Sequence, residues 1–493
     1  MRLLTALLLT TMTAMPVAAA PTTDADRTAI LADVTAADRT AILADVTAAE
    51  PELARAALAI WGYAETGFHE TRSSALLQAQ LKAAGFTIEA GVAGMPTAFV
   101  ARFRNGDGPV IGMLAEFDAL PGLAQAAVPR LSPIHGQAAG HACGHNLFGA
   151  ASVAAAVAVR RWMVTNHVAG ELRVYGTPAE EGGSGKVFMV RAGSMNDVDA
   201  MLHWHPGDRN SASQGRTLAN ISGKFRFTGI AAHAAIAPDR GRSALDGVEA
   251  MDMMVNQMRE HVPPETRIHY VITDGGKAPN VVPATAEVYY YIRHPDQRMV
   301  RSIFDRVSKA AEGAALGTGT TVRFEQVGGV FDLMPNDVLG RVMAANLNRV
   351  GGVAYSPADT AFARAIGGGG PTDLAPDAIE PYSVDAPGMA STDVGDVSYV
   401  TPTVGMTAAA WAPGTAPHSW QAVAASGSPI GLEGAGVAAR TLALTAVDLF
   451  RAPETLAAAR AELDRRRGPG FTYRALLGDQ PPRLDYRASP PAR

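Results

Sequence analysis

Glu171-Leu-Arg-Val-Tyr175-Gly-Thr-Pro-Ala-Glu180-Glu181-Gly182 is a short strand-like run that empties into two adjacent carboxylates and a glycine. The arrangement occurs twice more. Pro109-Val-Ile-Gly-Met-Leu114 leads into Ala115-Glu116-Phe117-Asp118-Ala119-Leu120-Pro121-Gly122, and Asp199-Ala-Met-Leu202 leads into His203-Trp204-His205-Pro206. Helical apolar periodicity over Asn146–Met163 follows directly on His141-Ala-Cys143-Gly-His145. Strands and helices alternating from Glu50 to about Asn220 predict an α/β domain. In parallel sheets, ligand-binding groups collect at the carboxyl ends of the strands. The three tips bearing acids and imidazoles are therefore expected to converge.

Outward from this unit the pattern changes. Residues 221–336 read as a strand at Lys224–Thr228, a helix near Ser243–Glu260 and strands near Arg267–Ile272 and Ala286–Arg293. A helix near Gln297–Glu312 and a strand near Thr320–Gln326 follow. This β-α-β-β-α-β order predicts an inserted ferredoxin-like α+β domain of about 115 residues. The first domain resumes over 337–450, with a Gly-rich loop at Gly367–Gly370, a polar cluster at Ser391–Asp396, a loop carrying His418, and a closing helix near Glu433–Phe450. Residues 451–493, rich in Arg and Pro, read as an extended C-terminal arm or frayed tail.

The first twenty residues have the layout of a secretory signal, with Arg2, an apolar or Thr-rich stretch Leu3–Val17, and Ala18-Ala19-Ala20 before Pro21. No other stretch is expected to span a bilayer. The mature chain is thus expected to be soluble and periplasmic or secreted, with no membrane partner. Residues 21–49 hold a duplication, ADRTAILADVTA at Ala25–Ala36 returning at Ala37–Ala48. Successive copies place their apolar stripes about 120° apart on one helix, which reads as a slipped duplication in a tolerant segment.

Of 493 residues, 47% are apolar and 18% charged, enough for a sizeable core and too ordered a composition for wholesale disorder. A net charge of −5 argues against a nucleic-acid binder, which needs a basic surface. Cys143 is the one cysteine, so no intrachain disulfide forms, and an unpaired thiol in an oxidising compartment needs a reason.

That reason is sought in Cys143-x-His145, Glu180-Glu181, His203-x-His205 and His418, a mixture of S, N and O donors suited to zinc or a neighbouring transition metal. Each alone has a bland reading: a core thiol, a solvated acid pair, a carbonyl-bonded histidine. His135, His167, His261 and His269 receive that last reading. Coincidence at strand tips and in Gly/Pro-rich loops favours one cleft. Adjacent carboxylates in extended backbone point to opposite sides, so one of the pair would ligate while the other faces a water whose pKa the ion lowers to about 7. Gly182-Gly-Ser-Gly-Lys186 fails as a phosphate loop, since Glu180 and Val187 stand where Gly and Ser/Thr belong. No G-x-S-x-G elbow occurs.

In order along the chain, LAEFDALPG, HACGHN, TPAEEGGSGK, WHPGD, GIAAHAAIAPDRGRSALD, APNVVPATAEVYYYIR, STDVGDVSYV and PHSWQ resemble the metal-dependent aminoacylase/carboxypeptidase family, especially the branch formed by the B-type subunit of aminobenzoyl-glutamate hydrolase. The resemblance covers about Pro51 to Phe450. It implies a zinc-peptidase-like catalytic domain with a central mixed sheet flanked by helices, plus a lid that dimerises. It also implies two divalent ions, zinc by default with manganese or cobalt as alternatives. Cys143, His145, Glu181, His205 and His418 would be the ligands, Cys143 bridging, with His203 the alternative to His205. Glu180 would be the general base for attack by metal-bound hydroxide, and Asp118 would orient a ligand. His233 would reach a neighbouring subunit's site to stabilise the oxyanion, while Asn280 and Arg293 would bind substrate. The implied activity is cleavage of the amide bond in N-acyl or N-aroyl amino acids. The alternatives are an exported metallo-dipeptidase or carboxypeptidase and a non-catalytic conjugate binder. A homodimer through the lid is expected, with a heteromer including a paralogue as the other assembly.

Overall fold

The computed structural model describes residues 35–367 and 375–487. The signal segment, most of the first repeat copy and nearly all of the Gly367–Gly370 loop lie outside them. The strands are β1 (Thr87–Ala90), β2 (Phe99–Arg104), β3 (Val110–Ala115), β4 (Glu171–Gly176), β5 (Ala200–Gly207), β6 (Ala219–Thr228), β7 (Arg267–Asp274), β8 (Thr285–His294), β9 (Thr321–Val330) and β10 (Thr403–Ala409). The main helices are α1 (Ala36–Tyr63), α2 (Thr71–Ala83), α3 (His145–Thr165), α4 (Ala244–Met258), α5 (Gln297–Thr318), α6 (Asp337–Val350), α7 (Pro429–Arg451) and α8 (Pro453–Arg467).

A six-stranded sheet of order β1-β2-β4-β3-β5-β10 forms the catalytic domain. β3, β4, β5 and β10 run parallel, whereas β1 and β2 pair antiparallel at one edge. Parallel strands need cover on both faces and therefore read as continuous apolar runs. β3 and β4 obey, with Ile111, Met113, Leu114, Leu172 and Val174 fully buried. The second sheet, β9-β6-β8-β7, is antiparallel throughout and carries α4 and α5 on one face, the expected ferredoxin-like insertion. Even-numbered residues of β8, Val288, Tyr290 and Ile292, are buried against those helices. Tyr289, Tyr291 and Arg293 occupy the other face.

Three expectations need correction. The repeated segment is not merely tolerant: its second copy lies in α1, capped by Thr35, and buries Ile42 and Val46 completely. α1 also runs unbroken across the anticipated boundary at residue 50. Second, among the described residues α3 and α7 are long and apolar enough to cross a membrane by length and composition, where no such stretch was expected. Both are largely buried, α3 against β3, β4 and β5 and α7 against α1, α3 and β10, which makes them core helices. Third, the C-terminal arm begins with the helix α8 and continues as an ordered segment with Ala475, Leu476 and Leu477 buried.

Candidate active site

The parallel strands deliver their tips to one place. Beyond β3 come Glu116 and Asp118, and beyond β4 a single helical turn at Glu180–Gly183. β5 carries His205 near its end. Cys143 and His145 arrive on the loop that opens α3. Gly144 between them has φ +71°, and a Cβ there would stand 2.8 Å from Pro206, so glycine alone lets this loop lie on β5. His418 follows β10 with φ +57°, its N–H donating to the Ala142 carbonyl at 3.0 Å. Left-handed backbone at a non-glycine residue costs about 1–3 kcal/mol and concentrates at functional sites.

Donor atoms of Cys143, His145 and His205 lie within 4.8 Å of one another, as do those of Cys143, Glu181 and His418, and those of His145, Glu180 and Glu181. His205 Nε2 is 3.4 Å from Cys143 Sγ, and its Nδ1 is 2.7 Å from the Pro206 carbonyl. His418 Nε2 is 3.4 Å from Glu181 Oε1. Asp118 sits between two members of the cluster. One of its oxygens is 2.9 Å from His145 Nδ1, and the other accepts the Glu181 N–H at 2.9 Å. His203, two residues before His205, packs its ring against Gly405 and belongs to none of these groups. The expectation that Glu180 and Glu181 point to opposite sides is corrected. Their backbone is a tight turn, with Glu181 at φ −69°, ψ 63° and Gly182 at φ +91°, so both carboxylates reach His145.

Burial governs the electrostatics. It pushes the Glu180 carboxyl well up, aided by the carboxylates of Glu116 and Glu181. Burial and Glu181 likewise push up the Cys143 thiol of the chain by itself. Burial opposes ionisation of Asp118 too, but His145 and the Glu181 N–H outweigh it and bring that carboxyl down to about 2. Burial, followed by His145, depresses His205 to about 4, leaving a neutral imidazole able to ligate.

The lid residues divide. Arg293 lies in β8 with its guanidinium 5.1 Å from the Tyr291 ring centroid. Its Nε is buried without a hydrogen-bond partner among the described residues, as is Oδ1 of Asn220 opposite it in register. This face of the lid meets the acid-bearing turn, since a Cβ on Gly182 would stand 3.6 Å from the Tyr291 hydroxyl. His233 and Asn280 sit together on exposed lid loops, Asn280 accepting the Ala234 N–H at 3.0 Å and His233 Nδ1 accepting from Ala235 and Ile236. Among the described residues no hydrogen bond or ion pair joins either to the cluster.

Sequence reasoning missed a buried charge network. Lys186, passed over with the failed phosphate loop, is fully buried with Nζ 2.7 Å from both Glu116 and Asp393. Glu116 also faces His145 Nε2 at 3.0 Å. The alternation that puts Glu116 beside Asp118 was the available signal. The histidines at 135, 167, 261 and 269 are exposed rather than carbonyl-bonded. Outside the donor cluster, His141 has a ring nitrogen 3.0 Å from a carbonyl, that of Ile60.

Among the buried side-chain atoms, His145 Nε2 and Glu181 Oε1 lack a well-directed hydrogen bond among the described residues and face the thiol and the other donors. Such an S, N and O set fits divalent transition metals. Residues 219–318 match the peptidase dimerisation domain model of the M20 family. The chain is 43% identical to the B-type subunit of p-aminobenzoyl-glutamate hydrolase from Escherichia coli over 79% of its length and 87% of the relative's. It is 28% identical to the mouse Xaa-Arg dipeptidase over 83% and 88%. A Bacillus subtilis structure described as a dinuclear metal binding peptidase superposes with a TM-score of 0.54 at 17% identity, covering 82% of this chain and 99% of that one. With a relative this similar along most of its length, and with the dimerisation domain inside the chain, the protein belongs to the M20 peptidase family and is an amide hydrolase.

Proposed function

We propose that the protein hydrolyses the amide bond of an N-aroyl or N-acyl amino acid of the aminobenzoyl-glutamate or hippurate type. The observation that carries this is the convergence of Cys143, His145, Glu180, Glu181, His205 and His418 in three overlapping donor groups. The 43% identity to one component of an aminobenzoyl-glutamate hydrolase supports the substrate class. Cys143, His145, Glu181, His205 and His418 hold two divalent ions, zinc by donor type. When bound, such ions polarise the amide carbonyl and acidify water.

The side chains do the rest. Asp118 holds His145 in the tautomer that presents Nε2 as the ligating atom, since its carboxylate accepts a hydrogen bond from Nδ1–H. Glu180, half-buried and outside the ligand set, takes the proton of the attacking water and passes it to the leaving amine. His233 of the partner subunit stabilises the tetrahedral oxyanion. Arg293, with an unpaired Nε on the face toward the acid-bearing turn, and Asn280 bind the substrate's carboxylate and carbonyl. The protein works outside the cytoplasm as a dimer through the lid. Pairing with a similar second chain is the alternative, prompted by the Escherichia coli relative being named as one component of a hydrolase that has another.

Glu180→Gln tests the reading. It keeps the side-chain shape and removes the base, so metal content should stay at the wild-type level while turnover of hippurate or aminobenzoyl-glutamate falls by at least about 100-fold. Turnover at the wild-type rate would exclude Glu180 from proton transfer.

A further inference from the structure

Residues 471–487 form a strap across both bodies. Leu476 is buried in the lid core and Leu477 in the catalytic core, while Gln326 Nε2 donates to the Leu476 carbonyl at 2.9 Å and Arg483 pairs with Glu325 of β9. Beyond that anchor the strap turns into the site. The Tyr486 ring meets Phe68 edge-on at 5.7 Å between centroids, and its hydroxyl donates to the Glu181 carbonyl at 3.0 Å. The Arg487 guanidinium donates to the same carbonyl, and its Nε donates to the Tyr486 hydroxyl at 2.8 Å.

The Glu181 backbone is thereby held on both sides of its Cα, its N–H by Asp118 and its C=O by the strap. It needs holding. Ala179 at φ +56°, Gly182 at φ +91° and Ser184 at φ +59° put left-handed backbone on both sides of it, a turn that persists only when its surroundings impose it. The orientation of this peptide decides whether the Glu181 carboxylate reaches Cys143 and His418. We propose that Tyr486 and Arg487 are positioning residues of the hydrolytic site, aiming the Glu181 carboxylate by donating to its own backbone carbonyl. The inference rests on the reading above that Glu181 holds a metal ion.

The test compares full-length wild type with Arg487→Ala, Arg487→Lys, Tyr486→Phe/Arg487→Ala and Asp485→Ala. Affinity for zinc is read by chelator competition, kcat and KM with hippurate or aminobenzoyl-glutamate, and melting temperature on metal-free protein. Losing partners that orient a ligand costs about 10–100-fold in metal affinity or activity. Arg487→Ala and the double variant should lose that much zinc affinity and kcat, with KM and the metal-free melting temperature near wild type. Arg487→Lys, which keeps one donor, should recover part of the loss. Asp485→Ala, an exposed neighbour on the strap, should match wild type. Wild-type zinc affinity in the double variant, an equal loss in Asp485→Ala, or a loss matched by a lowered metal-free melting temperature overturns the assignment. Wild-type protein that binds no zinc and hydrolyses neither compound would sink the hydrolase reading instead.

Discussion

Two histidines two residues apart on one face of β5 meet different fates. His205 has its Nδ1 against the Pro206 carbonyl and its Nε2 beside Cys143, whereas His203 lies against Gly405 with burial depressing it to about 3. Both imidazoles are neutral, so charge does not separate them; reach does. His205→Ala should lose one of two bound ions, while His203→Ala should keep both and lose only packing. Metal analysis after dialysis against trace zinc checks this, and equal losses would mean that the pocket extends to His203. The WHPGD motif marked His205 as the better candidate, yet alternation in β5 leaves both residues on one side. The Glu180-Glu181 pair shows the opposite difficulty. Its chemistry could be read from identity alone, but its geometry could not, because a left-handed Ala179 and the Gly182 turn replace the extended backbone that a strand tip suggests.

At the scale of elements, α1 shows how a repeat becomes core. Ile42 and Val46 are four apart and line up with Leu53, Ala57 and Ile60 on the side that packs against α3 and α7. Ile42→Ala should lower unfolding stability by about 2–5 kcal/mol, measured by urea denaturation; no change would restore the view that the repeat is dispensable. In the lid, Asp252 on α4 is buried and accepts a hydrogen bond from the Tyr290 hydroxyl. Burial raises its carboxyl to about 6, more than the Tyr290 bond lowers it. The folded state therefore holds this proton more tightly than the unfolded chain, whose Asp titrates near 3.9. The stabilisation is complete below about pH 4 and is lost as pH rises through about 6. Asp252→Asn should abolish this trend. Its melting temperature relative to wild type should climb between pH 4 and 6 and then level off, whereas a constant difference would place the Asp252 titration elsewhere.

For the whole molecule, the lid supplies surfaces to two places. Its open sheet face meets the acid-bearing turn of its own chain through Tyr291, while His233 and Asn280 lie on exposed loops that no hydrogen bond or ion pair joins to that cluster among the described residues. The match to a peptidase dimerisation domain covers this same segment. If His233 serves the neighbouring site, inactive His233→Ala and inactive Glu180→Gln proteins should regain activity when unfolded and refolded together, because mixed dimers contain one complete site. A mixture as inactive as its components would confine His233 to another role. Light scattering should give a single species of dimer mass for the chain purified alone; a monomer active only with a second, similar chain would favour the heteromer.

Residue identities and motif order alone determined which candidate donors the fold gathers, the α/β body and the ferredoxin-like insertion. Ligand chemistry is a property of side-chain type, and strand and helix periodicities are local. The tertiary structure alone decided which imidazole of β5 joins the thiol, that both carboxylates face one side, that Lys186 is buried between Glu116 and Asp393, and that the C-terminal strap grips the Glu181 carbonyl. Each of these depends on backbone torsions or on contacts between residues far apart in the chain. A carbonyl at residue 181 and a guanidinium at residue 487 carry no sequence pattern that relates them; only the packing of the lid on the body brings them within bonding distance.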